Sequence, residues 1–133
     1  MLLIGNGRVI TRNPACPIFE NGAVAVQANK IVEVAATETL QKKYPGSDWL
    51  DAGGRLIMPG LINAHMHCYS SFARGMDIKA QSPQEFTEIL ERLWWRLDKT
   101  LTLDDVYYSA AVAMIDCIRN GVTTIFDHHA SPR

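Results

Sequence analysis

The sequence predicts an α/β chain in two parts: a β-rich opening, then a strand, helices and a second strand joined by a parallel crossover. Three observations carry that reading. Short apolar and β-branched runs punctuated by Gly, Asn and Pro fill residues 1–58. Two helical apolar patterns with start signals follow between residues 82 and 121. Brief apolar runs stand before and after those helices, and each ends in histidines.

The opening run Leu2 to Ile10 reads as a short strand with a turn signal at Gly5-Asn6-Gly7. Ala23 to Gln27, then Ala28-Asn29-Lys30, then Ile31 to Val34 reads as a hairpin. Thr37 to Tyr44 suits a short helix stopped by Pro45-Gly46, and Asp51-Ala52-Gly53-Gly54 turns into Arg55 to Met58. Leu61 to His65 is short, small and apolar, the composition of a strand buried on both faces.

Ser82-Pro83-Gln84-Glu85 combines a Ser N-cap with Pro at the first helical position and a Glu, which predicts a helix start at Ser82. The stripe that follows is Phe86, Ile89, Leu90, Leu93, Trp94 and Leu97, spaced as i, i+3, i+4, i+7, i+8 and i+11, and that face packs inward. On that register Trp94 is core. Trp95 lies nearly opposite and needs a pocket wall or an interface. A second helix starts at Thr102 with Asp105 completing a capping box, and it stops at Asn120-Gly121. Val122 to Asp127 is the second β-branched strand.

The 133 residues carry a net charge of −1 and are 47% hydrophobic, which fits a globular chain and excludes a disordered or polyionic one. Charges of both signs are interspersed, and like-charged neighbours such as Lys42-Lys43 and Asp104-Asp105 are too short for a nucleic-acid footprint. The N-terminal apolar run is broken by Gly5, Asn6, Gly7 and Arg8, and no run reaches membrane-spanning length, so the expectation is a cytoplasmic protein without membrane contact. Cys16, Cys68 and Cys117 are odd in number and widely spaced, which predicts neither a disulfide framework nor a thiolate metal site.

The chemistry concentrates in Asn63-Ala64-His65-Met66-His67. Residues i and i+2 of a strand project from one face, so His65 and His67 stand side by side while Met66 points away. Two neutral imidazoles on one rigid strand can take adjacent corners of a zinc or iron coordination shell. At the carboxyl end of a parallel strand they occupy the face where such folds build active sites.

The block Asp51-Ala52-Gly53-Gly54-Arg55-Leu56-Ile57-Met58-Pro59-Gly60-Leu61-Ile62-Asn63-Ala64-His65-Met66-His67 resembles the opening of the barrel in the amidohydrolase superfamily. It is most similar to the cytosine deaminase and chlorohydrolase-like branch. Leu93 to Asp98 and Asp127 to Pro132 further resemble the SsnA group of aminohydrolases. The resemblance implies a metal-dependent (β/α)₈ TIM barrel from residue 59 onward, behind residues 1–58 as the N-terminal part of a small composite β-sandwich. It implies one divalent metal, zinc first and iron second, with His65 and His67 as ligands. It places the remaining ligands, a His and an Asp, and the proton-transfer Glu and His on later strands.

A complete barrel of this kind needs roughly 250 residues, whereas 66 residues follow His67. The expectation is therefore an N-terminal portion holding about two barrel strands, inactive alone, whose parent hydrolyses C–N bonds of an amino-substituted heterocycle or related amidine-like carbon. The parent is expected to take a small-molecule substrate and to form a homo-oligomer. Dehalogenation or cyclic-amide cleavage on the same fold, and a non-catalytic module, are the competing readings. Tyr69, with Ser70 and Ser71, and Trp95 are candidates for the substrate pocket. Asp127 is a candidate to orient an imidazole. Of His128 and His129 at most one is expected to enter the pocket unless the strand has already ended before them, and their adjacency does not say which.

Overall fold

The computed structural model describes residues 1–77, 79 and 81–130, so Ser131 and Pro132, the last two quoted from the Asp127 segment, lie outside the described residues. The chain forms two compact units, Met1–Pro59 and Gly60–Arg133. No helix among the described residues is long and apolar enough to cross a membrane.

In the first unit, β1 (Leu2–Ile10), β2 (Ile18–Gln27), β3 (Lys30–Ala36), β4 (Asp48–Asp51) and β5 (Leu56–Ile57) make one sheet. The order is β3-β2-β1-β4, and β5 also pairs with β1. Antiparallel β2 and β3 meet through Ala28 and Asn29, both at positive φ, the two-residue turn whose twist matches a hairpin. Gly5-Asn6-Gly7 does not turn the chain, contrary to the sequence expectation. It is an irregularity inside a continuous β1, with Asn6 at φ 54°. The reason is a change of partner: Leu2–Gly5 pairs with β4, and Arg8–Val9 pairs with β5. The Asp51 carboxylate holds that junction by accepting from the Gly53 backbone and the Asn6 side chain, both at 2.7 Å.

The helix α1 (Thr37–Lys43) packs Leu40 onto Leu3, Ala23 and Ala25, the buried core of this unit. Small alanines on β2 let the helix approach the sheet closely. The opposite face carries an apolar groove of about 250 Å³ lined by Ile4, Val24, Val26, Val34 and Ile57 among others. The described residues of this unit contain one sheet and no second layer of strands.

In the second unit, β6 (Leu61–Met66) and β7 (Val122–Asp127) pair in parallel. Between them lie 3₁₀ turns at Cys68–Ala73, then α2 (Phe86–Ile89), a π turn (Leu90–Trp94), α3 (Trp95–Asp98) and α4 (Leu103–Arg119). The burial expected on both faces of β6 is not found: Leu61 is 49% and Ile62 64% exposed. Two strands alone cannot cover their own faces. Met66, pointing away from the histidines, does pack, with its Sδ 3.3 Å from Asn63 Nδ2 and 4.0 Å from Cys117 Sγ of α4.

The predicted capping box opens α4: Thr102 Oγ1 accepts from the Asp105 backbone at 3.2 Å, and the Asp105 carboxylate accepts from the Thr102 backbone at 2.8 Å. Gly121, at φ 72°, follows its end as expected. The start predicted at Ser82 is not found. Glu85 is extended at φ −142°, so the first helical residue is Phe86, and the Glu88 carboxylate takes the Gln84 N–H at 2.6 Å. The Ser82 carbonyl instead accepts from Arg92.

Candidate functional site

All four histidines of the chain gather at the carboxyl ends of β6 and β7, although 61 residues separate His67 from His128. The parallel pairing brings them there. Nε2 of His65 lies 3.2 Å from Nε2 of His67. Nδ1 of His67 lies 2.7 Å from the His128 carbonyl oxygen. A carbonyl only accepts, so Nδ1 carries the proton and Nε2 of the neutral ring offers its lone pair toward His65.

The second strand is tied to the same place twice more. The His128 N–H donates to the Met66 carbonyl at 2.8 Å, and Asp127 Oδ1 accepts from the Cys68 N–H at 2.8 Å. Burial raises the Asp127 carboxyl, but the Cys68 hydrogen bonds and the facing His129 outweigh it and leave the group below the usual carboxylate range. Asp127 thus faces His129, at 3.6 Å, and makes no contact with a ring of the His65 and His67 pair. The group that orients His67 is a main-chain carbonyl.

Neither His128 nor His129 forms part of the cavity wall described below. The His128 ring lies 4.6 Å from the His65 ring at a 32° tilt, and the His129 ring sits 5.0 Å from Tyr69. The strand ends at Asp127, so the alternation that was expected to separate the two rings no longer applies beyond it.

A cavity of about 370 Å³ opens beside the pair, walled by His65, His67, Tyr69, Phe86, Leu90, Trp94, Trp95, Asp98 and Ala130. Tyr69 is 4% exposed; burial first, then the nearby Asp98 carboxylate, pushes its hydroxyl up to about 12. Burial also pushes the Cys68 thiol up to about 11, so it stays protonated at neutral pH and offers no thiolate ligand. Ser70 and Ser71 turn away from the cavity, donating to the His67 and Cys68 carbonyls.

Trp95 lines the cavity on the same side as Phe86 and Leu90, not opposite them, and Trp94, read from sequence as core, lines it too, 6.3 Å from the His67 ring. No residue of α2, the π turn or α3 is fully buried. A π turn sets which residues follow Trp94 onto the cavity side: the Trp95 N–H reaches back five residues to the Leu90 carbonyl. The extra residue advances everything downstream. Asp98 takes the cavity position that an α-helix assigns to Leu97, and Leu93 and Leu97 line a separate groove with Arg92, Arg96 and Lys79. Asp98 Oδ1 is shielded from solvent with no hydrogen-bond partner among the described residues. Asp98 is the site residue that sequence periodicity missed, while Phe86, Leu90 and Trp94 were on its stripe and were read as core.

The donor set fits a divalent cation in part. Two nitrogens at about 2.0–2.1 Å from one zinc at a tetrahedral angle stand roughly 3.3 Å apart, close to the 3.2 Å between the two Nε2 atoms. No cluster of three or more His, Cys, Asp or Glu side chains able to hold a metal occurs among the described residues. His65 and His67 are thus half of a shell.

The amidohydrolase family model matches residues 56–133. A 5-methylthioadenosine/S-adenosylhomocysteine deaminase of Syntrophobacter fumaroxidans is 35% identical over 126 residues, which make up 95% of this chain and 28% of that protein. A 5'-deoxyadenosine deaminase of Methanosarcina mazei is 31% identical over 126 residues, covering 95% of this chain and 27% of its own length. Among solved structures, a variant of the atrazine chlorohydrolase TrzN from Arthrobacter aurescens, complexed with zinc and atraton, superposes with a TM-score of 0.78 at 27% identity, over 98% of this chain and 29% of that one. A zinc-bound adenosine deaminase from Xanthomonas campestris gives 0.71 at 25% identity, over 96% of this chain and 28% of its own. The chain spans less than a third of the length of these proteins. With the family model covering more than half of its residues, this chain belongs to the amidohydrolase family.

Proposed function

We propose that these residues open a metal-dependent aminohydrolase in which β6 and β7 are the first two strands of a (β/α)₈ barrel and residues 1–58 contribute to a composite β-sandwich. The whole protein hydrolyses the C–N bond of an amino-substituted heterocycle or related amidine-like carbon. One observation carries the reading: two Nε2 atoms at 3.2 Å, one of them fixed in its lone-pair-bearing tautomer by the His128 carbonyl. Deaminase relatives support the C–N chemistry, and zinc in two similar structures supports zinc.

His65 and His67 would hold the cation. A bound cation supplies an activated water near neutral pH and polarises the carbon under attack. His67 keeps its geometry because the His128 carbonyl holds its other nitrogen. The aromatic wall of Tyr69, Phe86, Trp94 and Trp95 offers flat apolar surface to a heterocycle.

In the whole protein, His65→Ala and His67→Ala are expected to abolish both stoichiometric zinc, measured by atomic absorption, and ammonia release from 5'-deoxyadenosine. Unchanged metal content and activity in both variants would sink the assignment. The likeness to atrazine chlorohydrolase supports a second reading, dehalogenation on the same site. Chloride release from a chlorinated triazine without ammonia release from adenine nucleosides would select it.

A further inference from the structure

The helix that walls the cavity departs from α geometry at one place. Leu90–Trp94 forms a π turn, and the Trp95 N–H donates to the Leu90 carbonyl five residues back. One additional residue in a turn rotates all downstream positions by about 100° relative to those upstream.

Phe86 and Leu90, before the turn, and Trp95 and Asp98, after it, therefore share the cavity side. Leu93 and Leu97 leave that side for the groove beside Arg92 and Arg96. An unbroken α-helix keeps Leu97 with Phe86 and Leu90 and rotates Trp95 and Asp98 away, whereas Trp94 stands on the cavity side in either register. Two costs accompany the observed register. A π turn is a poorer backbone arrangement than an α turn, and the Asp98 carboxylate keeps an oxygen shielded from water without a partner. A helix that served only to pack would incur neither, because Leu97 in place of Asp98 buries more apolar surface at no polar cost.

We propose that the one-residue π turn at Leu90–Trp94 is a specificity device: it fixes the helix register that presents Trp95 and Asp98, not Leu97, to the substrate beside the His65 and His67 pair. This rests on the aminohydrolase reading above. Trp95 and Asp98 act as specificity-determining wall residues, and the π turn acts through them. The wall selects a ligand with a flat face and a polar end, against one that is apolar throughout.

The test uses the whole protein and 5'-deoxyadenosine as probe, with zinc content measured on every variant. Asp98→Ala and Trp95→Ala are expected to raise KM at least tenfold with zinc retained, while Leu97→Ala and Leu93→Ala leave KM within twofold. Deleting Glu91, which returns the segment to α register, is expected to raise KM as Asp98→Ala does. Deleting Lys99, beyond the wall, removes the same length of chain and is expected to have no such effect. If Leu97→Ala raises KM and Asp98→Ala does not, the register assignment is overturned, and this comparison stands even if the Glu91 deletion fails to fold. An unaltered protein that binds no zinc and releases no ammonia would overturn the aminohydrolase reading and this inference with it. An active protein indifferent to Trp95 and Asp98 would overturn this inference alone.

Discussion

His67 is fixed at both ring nitrogens, and only one of the two restraints was legible. The spacing of His65 and His67 on a strand announced the pair, because a two-residue period leaves no alternative orientation. The His128 carbonyl that holds Nδ1 could not be read, since every residue owns a carbonyl and only the fold chooses which one arrives. Asp127 was the acidic group in view and faces His129 instead. Tyr69 gives a prediction at this scale. Its hydroxyl moves from 10.0 to about 12 because the neutral form is favoured in the folded protein. The sign follows directly: between those values the unfolded chain releases the proton first, so the contribution is whole below pH 10 and is lost as pH rises toward 12. Ultraviolet titration should show one phenolate transition near pH 12 that disappears in Tyr69→Phe; loss of a transition near pH 10 instead would refute the shift.

At the scale of elements, the sequence was most informative where a local rule had no competitor. The Thr102 and Asp105 box is such a case, because its partners lie three residues apart and nothing else claims them. Thr102→Ala is expected to lower unfolding free energy by about 1 kcal/mol, read as a shifted urea midpoint at constant slope. The Ser82 start failed because the Glu88 carboxylate and Arg92 claimed the same backbone groups that a Ser cap would have organised. The stripe from Phe86 to Leu97 failed for a different reason: reading it presumes 3.6 residues per turn throughout, and the π turn breaks that premise inside the element.

A Cβ on Gly60 would run into the Thr123 side chain where β6 begins beside β7. Gly60→Ala should destabilise the paired strands, and Thr123→Gly should recover part of the loss in the double variant. Equal midpoints for Gly60→Ala and the unaltered protein would show that β6 and β7 can separate there at no cost.

For the whole molecule, the parallel pairing of β6 with β7 was readable from the alternation of strand, helices and strand, while the parallel pairing of β4 and β5 with β1 and the burial were not. Burial is a property of what lies against a face. The composition of β6 suited an interior strand, but among the described residues only β7 pairs with it, and Ile62 stays 64% exposed. The long helix α4 likewise leaves Leu103, Tyr107, Tyr108, Ile115 and Ile118 exposed, the last at 75%. Residues 1–133 expressed alone are therefore expected to self-associate at micromolar concentration, seen by light scattering, and to release zinc on dilution, because two imidazoles are fewer than the three protein ligands of a catalytic zinc site. A monodisperse monomer that retains stoichiometric zinc would contradict both expectations.

The hydrogen bond from His67 to the His128 carbonyl has one more consequence. It makes cation affinity and the docking of two distant chain segments a single thermodynamic quantity, since whatever holds the ring also holds the end of β7. Loading with zinc should then slow amide hydrogen exchange along Val122–Asp127, residues that supply no ligand of their own.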